Sequence, residues 1–254
     1  MPDALFVSGD TSQNIRNLDG IFTEKGKQIT NAIFGNAPRN KTELGEGVYK
    51  NYGKGSSGFN ISSIQFAIHY MFETDTSLNN FLRNVSETTQ KNGYFIGTCF
   101  DGEKIFNYLK NTEFNQSKEI FEDGKKLWSI TKRYDRNEFL ANESSVGYGV
   151  DIYMESINKV FREYLVNFEY LNRIMENYGF KPLTTAEARE IGMPSGIGNF
   201  KQLYSDRFHM PPNERQISFF NNFFIFKKVR SVDAEKVKLA STDESKAEAA
   251  ANLD

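Results

Sequence analysis

The chain has 254 residues, 39% of them apolar and 25% charged, with a formal net charge of −2. This content supports a folded core of one or two domains and excludes wholesale disorder. The near-neutral balance excludes a protein that grips long nucleic acid by bulk charge alone, and the single cysteine, Cys99, excludes an intrachain disulfide or a cysteine-cluster metal site.

A lone cysteine fits a reducing compartment, so the expected location is cytoplasmic, with a viral factory or the virion as alternatives. The opening MPDALFVSGD has no basic leader, and runs such as IQFAIHYMF fall short of the ~20 apolar residues of a membrane span. No membrane partner is expected.

In chain order, Ala4 to Val7 predict a short buried strand that ends in the polar turn Ser8-Gly9-Asp10-Thr11-Ser12. Residues 20–58 read as a long loop with helical turns near Lys25 to Phe34. Its last six residues, GKGSSG, satisfy G-x-G-x-x-G but precede a strand, the wrong context for a dinucleotide turn. Phe59 to Phe72 predict a strand. A helix follows, with Leu78, Phe81, Leu82 and Val85 on one face and Thr74 to Thr76 as cap candidates. Tyr94 to Phe100 predict a buried strand, and Asp101 opens another helix.

Strands alternating with helices imply a parallel α/β sheet with ligands at the strands' carboxyl ends. In the second half, Lys126 to Tyr134 and Gly147 to Glu155 predict a pair of strands. Arg162 to Phe180 predict an amphipathic helix, and Asn221 to Val229 a closing strand. The Ala- and charge-rich tail from Ser231 is expected to be disordered.

Three segments carry a family resemblance. QFAIHYMFE (Gln65 to Glu73), FLRNVSETTQKNGYFIGT and FREYLVNFEYLNRIMENYGF resemble, in order, signatures of the mRNA cap guanine-N7 methyltransferases, particularly the methyltransferase portion of the capping enzymes of large DNA viruses. The terminal FFIFKK resembles that family's closing strand. The resemblance implies a Rossmann-like class I methyltransferase sheet over residues 1–230, with an inserted β-hairpin and a closing antiparallel strand. It implies S-adenosyl-L-methionine as cofactor and 5′-capped RNA as substrate. The family's glycine-rich cofactor turn and ribose-holding acid have no counterpart here. The resemblance therefore implies an N-terminally incomplete domain, completed by an N-terminal region or by a partner capping subunit.

By resemblance, His69, Tyr70, Tyr153 and Glu163 contact the cap guanine, while Asp10, Thr11 and Gln65 contact the cofactor. Read from the residues alone, Glu163 is a solvated glutamate near a helix start, and His69 a packed histidine at a strand end. Tyr153 is an ordinary strand tyrosine, and Asp10 a turn residue. A further family tyrosine falls nearest Asn221. Lysines and arginines of 20–58 are candidates for the triphosphate bridge.

Methylating N7 of guanine needs no proton removal, so no catalytic base, nucleophile or metal is expected. Positioning alone is worth up to ~7–11 kcal/mol. Two other readings stay open: a non-catalytic stimulatory or cap-binding subunit, and a purely structural α/β protein.

Overall fold

The computed structural model describes residues 4–241. Two sheets carry the architecture. The opening apolar run is not a strand. Residues 4–8 lie in irregular backbone, Phe6 is 89% exposed, and a lone bridge joins Gly9 to Ile21. A strand needs a neighbour to satisfy its backbone, and among the described residues only the Ser8 carbonyl of this segment finds one, the Phe22 amide at 3.2 Å.

The 20–58 region is more ordered than the long loop expected, and the helical turns expected near Lys25 to Phe34 are a full helix. The region holds α1 (Glu24–Phe34), α2 (Lys41–Leu44) and α3 (Glu46–Lys50). Thr23 and Asn40 accept amide hydrogen bonds as N-caps of the first two, and Gly35 closes α1 at φ 78°. Ala32, Leu44 and Val48 form a small core between them.

The expected strand from Phe59 stops early. β1 runs Phe59–Gln65, and Ile68–Glu73 is a 3₁₀ turn. The break sits at Phe66, a bulky residue at φ 51°. α4 (Asp75–Thr88) starts with a capping box in which Thr74 and Ser77 bond reciprocally, and its predicted apolar face is buried. β2 (Thr89–Phe100) follows at once, and Asp101 caps α5 (Gly102–Tyr108).

The inserted hairpin is a four-stranded antiparallel meander: β3 (Ser117–Glu122), β4 (Lys125–Arg133), β5 (Gly149–Met154) and β6 (Lys159–Tyr164). Its fourth strand takes residues that the apolar periodicity had placed in a helix. The helix, α6 (Phe168–Asn177), begins only after Asn167, whose side chain accepts from the amides of Glu169 and Tyr170. Then come β7 (Phe180–Pro182), α7 (Thr185–Glu190), β8 (Ile197–Asn199), α8 (Pro212–Ser218) and β9 (Asn221–Lys228).

The first sheet runs β1-β2-β9-β7, with β8 also paired to β9. β1 and β2 are parallel and β9 is the expected antiparallel closing strand, so the fold is mixed α/β. Parallel pairing is confined to that one pair among the described strands. Among the described strands the far edge of β1 has no partner, and it presents Phe59 and Ile61, the latter 57% exposed. One core joins α4 and α6 to β2 and β9 through Leu82, Phe95, Leu171 and Phe224. A second joins the meander to α5 and α8 through Trp128, Ile130, Ile105 and Ile217.

The tail departs from expectation in part. Residues 234–241 are helical, and Ala234 is buried against the first core. Residues 242–254 lie outside those described.

Candidate functional site

The 3₁₀ turn after β1 packs against the edge strand β6. The Tyr164 hydroxyl donates to Glu73 at 2.7 Å, and the Gly147 amide donates to the Phe72 carbonyl at 2.9 Å. These bonds lock the turn to the meander and bring His69 to Glu163, with Nδ1 and Oε2 3.6 Å apart. That separation is too long for a hydrogen bond. Among the described residues, no hydrogen bond holds the Glu163 carboxylate. The His69 Nε2 and the Asn221 Oδ1 are buried and, among the described residues, have no partner.

Glu163 is therefore not at a helix start. It pairs with Val150 across β5, on the face that also carries Trp128, Ile152 and Met154. Burial pushes its carboxyl up to about 7 and pushes His69 down to about 4. Burial, then the nearby Asp101 and Glu163, push the Cys99 thiol well up, so it is no thiolate nucleophile.

His69, Glu163, Cys99 and Asn221 line one cavity of about 460 Å³, with Trp128 and Phe66 among its walls. Tyr70 faces elsewhere, although its ring lies 4.2 Å from that of His69. With Thr11, Ser62, Ser63 and Met71 it lines a second cavity of about 450 Å³ on the other side of the turn. Thr11 also lines a third, about 400 Å³, with Asp10, Lys54 and mainly apolar side chains. Five of the seven residues singled out in the sequence thus divide among neighbouring hollows.

The other two line none of these three. Gln65 ends β1 and accepts from the Thr98 hydroxyl at 2.8 Å. Tyr153 is a correction to the expected guanine contact. It pairs with Val160, one position out of phase with Ile152, so it projects from the opposite face of the meander to Glu163. There its hydroxyl donates to the Asn158 side chain at 3.3 Å.

Sequence reasoning passed over Phe66, Trp128, Glu155 and Glu214, which all line the cavity that holds His69 and Glu163. The lone tryptophan was a visible signal. The other three are brought in by a backbone break at Phe66, by the turn after β5 at Glu155 and by the docking of α8 at Glu214, which leave no periodic trace.

On the cofactor side the fit is partial. Asp10 accepts from the Ser12 amide and hydroxyl through Oδ1, both at 2.8 Å, which leaves Oδ2 for an exocyclic amine. No glycine-rich turn and no ribose-holding acid accompany it in the sequence. The described residues suit the adenine end of a nucleoside cofactor and not the remainder. Among them, no group of three or more His, Cys, Asp or Glu could hold a metal ion, and no helix is long and apolar enough to cross a membrane.

Comparison with known proteins agrees with the resemblance. The chain is 28% identical over 196 residues to the mRNA cap guanine-N(7) methyltransferase of Saccharomyces cerevisiae, covering 70% of this chain and 44% of that protein. It is 32% identical over 123 residues to a probable mRNA-capping enzyme of Acanthamoeba polyphaga mimivirus, covering 44% of this chain and 10% of that protein. Among solved structures, the CcbJ methyltransferase of Streptomyces caelestis is 10% identical with a TM-score of 0.40, covering 69% of this chain and 59% of that one. The chain spans less than half the length of these two curated relatives. The profile of the mRNA (guanine-N(7))-methyltransferase domain matches residues 23–240, and the chain belongs to that family.

Proposed function

We propose that this chain supplies the guanine-holding part of an mRNA cap guanine-N7 methyltransferase, within a capping enzyme of viral type. The observation that carries the reading is the Glu163 carboxylate, its side chain 15% exposed and without a hydrogen bond among the described residues, beside the buried His69 in a cavity large enough for a purine. A carboxylate there accepts from both the N1–H and the exocyclic amine of guanine, a pairing adenine cannot offer.

S-adenosyl-L-methionine, when bound, supplies a methyl group on a sulfonium centre. Asp10 and Thr11 are the residues that would hold its adenine end. The chain's own work is orientation. Glu163 fixes the guanine edge, the Phe66 ring limits its tilt, and the turn carrying His69 and Tyr70 lines both the guanine cavity and the hollow beside Thr11. N7 carries no proton, so no side chain needs to act as a base.

The absent glycine turn and the unpaired edge of β1 favour a completing segment, either an N-terminal region or a partner capping subunit. Those same observations favour a second reading, a non-catalytic cap-binding or stimulatory subunit. A methyl-transfer assay on capped RNA separates the two. The first reading expects little transfer by the chain alone and recovery when the completing segment is added, with the recovered activity lost in Glu163→Gln. Recovered activity indifferent to Glu163→Gln would overturn it.

A further inference from the structure

The guanine cavity has a charge pattern that base recognition does not require. Three carboxylates line it: Glu163 inside, and Glu155 and Glu214 at its exposed rim. No lysine or arginine is among its described lining residues. The histidine in its wall is held neutral by burial. Two further polar atoms in that wall, His69 Nε2 and Asn221 Oδ1, belong to side chains 4% and 7% exposed and have no partner. Such atoms are costly to leave unpaired and mark a site completed by a ligand.

The Asn221 amide is oriented by its nitrogen, which donates to the Ser218 carbonyl at 3.1 Å. Its oxygen is thereby left as an acceptor. The wall is therefore rich in negative charge and acceptors, with Trp128 and the 54% exposed Phe66 among its lining residues.

A neutral guanine uses one of these carboxylates. The other two have no hydrogen-bonding duty toward it. They do have an electrostatic one toward a base carrying a fixed positive charge on its five-membered ring, which is what methylation at N7 creates. The exposed Phe66 ring adds cation–π attraction for the same species.

Resting on the reading above, we propose that this cavity selects the cationic base: the chain holds N7-methylated guanine more tightly than guanine, and Glu155 and Glu214 supply much of the difference. The same field favours positive charge as it develops on the purine during transfer, and it retains the product after it.

Trp128, the one tryptophan of the chain, lies in the cavity wall and provides the readout. Its fluorescence is followed while the full chain is titrated with 7-methylguanosine and, separately, with guanosine. Using nucleosides removes phosphate contacts from the comparison. The methylated nucleoside is expected to bind about tenfold more tightly, and Glu155→Gln and Glu214→Gln each to reduce that ratio about two- to fivefold, more at low ionic strength. Unchanged melting temperatures in these rim variants exclude a folding effect. Equal affinity for the two nucleosides, or a ratio preserved in the Glu155→Gln/Glu214→Gln double variant, overturns the charge proposal and leaves the guanine site standing. Failure of both nucleosides to bind removes the guanine reading and the proposal together.

Discussion

His69 Nδ1 and Glu163 Oε2 stand 3.6 Å apart in a buried pocket, close enough to couple and too far to share a hydrogen bond. Each is pushed toward its neutral form by burial, the carboxyl to about 7 and the imidazole to about 4. Guanine recognition through two accepted hydrogen bonds needs the ionised carboxylate. Guanosine affinity should therefore rise with pH between 6 and 8. With a carboxyl titrating near 7, the ionised fraction grows from about 10% to about 90%, an increase of about ninefold in affinity. Titrations followed by Trp128 fluorescence at three pH values check this, and Glu163→Gln should give a weak and flat profile. A flat profile in the unaltered chain would remove Glu163 from the contact.

The same pair leaves opposing marks on folding. The folded carboxyl of Glu163 titrates above its unfolded value, so its contribution is fully present below about 4.5 and is lost as pH rises through about 7. The folded imidazole of His69 titrates below its unfolded value, so its contribution is present above about 6.5 and is lost as pH falls through about 4. The two effects offset each other between about 4.5 and 6.5. Glu163→Gln removes only the first. It should stabilise the chain by about 1–3 kcal/mol at pH 8 and by almost nothing at pH 4.5. Urea unfolding at the two pH values measures the difference. A variant equally destabilised at both would show that the carboxylate is satisfied in the folded state.

Much of this site was legible from the residues, and the failures have physical causes. His69 and Glu163, 94 positions apart in the chain, were both singled out from motif resemblance and do meet. What failed was the element under Glu163. The apolar spacing of Tyr164, Phe168 and Leu171 is helical, but the last strand of the meander claims Tyr164 through pairing with Gly149, and Asn167 sets the real start of the helix. Period-2 alternation then explains the error at Tyr153: residues on one strand a single step out of phase cannot share a face. The opening strand failed because a strand is a property of its neighbours, and Ala4 to Val7 have no sheet edge beside them.

The unpaired edge of β1 should make the isolated chain self-associate. Ile61, 57% exposed, sits in the middle of that edge strand with Phe59 two residues before it. A lysine on an exposed edge discourages strand pairing. Ile61→Lys is expected to shift the chain toward monomer in sedimentation velocity at micromolar concentration, with its fold unchanged by circular dichroism. An unaltered chain that is already monomeric under those conditions would show that the edge is protected.

Asp151 ties the outer face of the meander together. It is 9% exposed and accepts from Arg133 Nε at 2.6 Å and from Arg162. Burial raises its carboxyl, but the hydrogen bonds from Arg162 and then Arg133 outweigh that and hold it below the usual range. Its contribution is thus present at neutral pH and is lost as pH falls through the folded value. Asp151→Asn should cost about 1–3 kcal/mol at pH 7, and the cost should shrink in acid. Since the edge strand β6 carries both Arg162 and Glu163, the variant should also weaken guanosine binding. Stability unchanged at pH 7 would mean that both arginines find other partners.

Phe66 separates strain from function at the cavity mouth. Its backbone sits at φ 51°, a conformation that costs a bulky residue about 1–2 kcal/mol, and its ring is 54% exposed, meeting Phe200 edge-on at 6.1 Å. Alanine at this position loses the ring and keeps most of the strain. Glycine loses the ring and the strain together. Phe66→Gly should therefore be more stable than Phe66→Ala by about 1 kcal/mol in urea unfolding. Both variants should bind 7-methylguanosine several-fold more weakly than the unaltered chain, because both lack the aromatic wall. Binding retained in both would place the ring outside the ligand's reach, and equal stability of the two would mean that the turn relaxes once the side chain is gone.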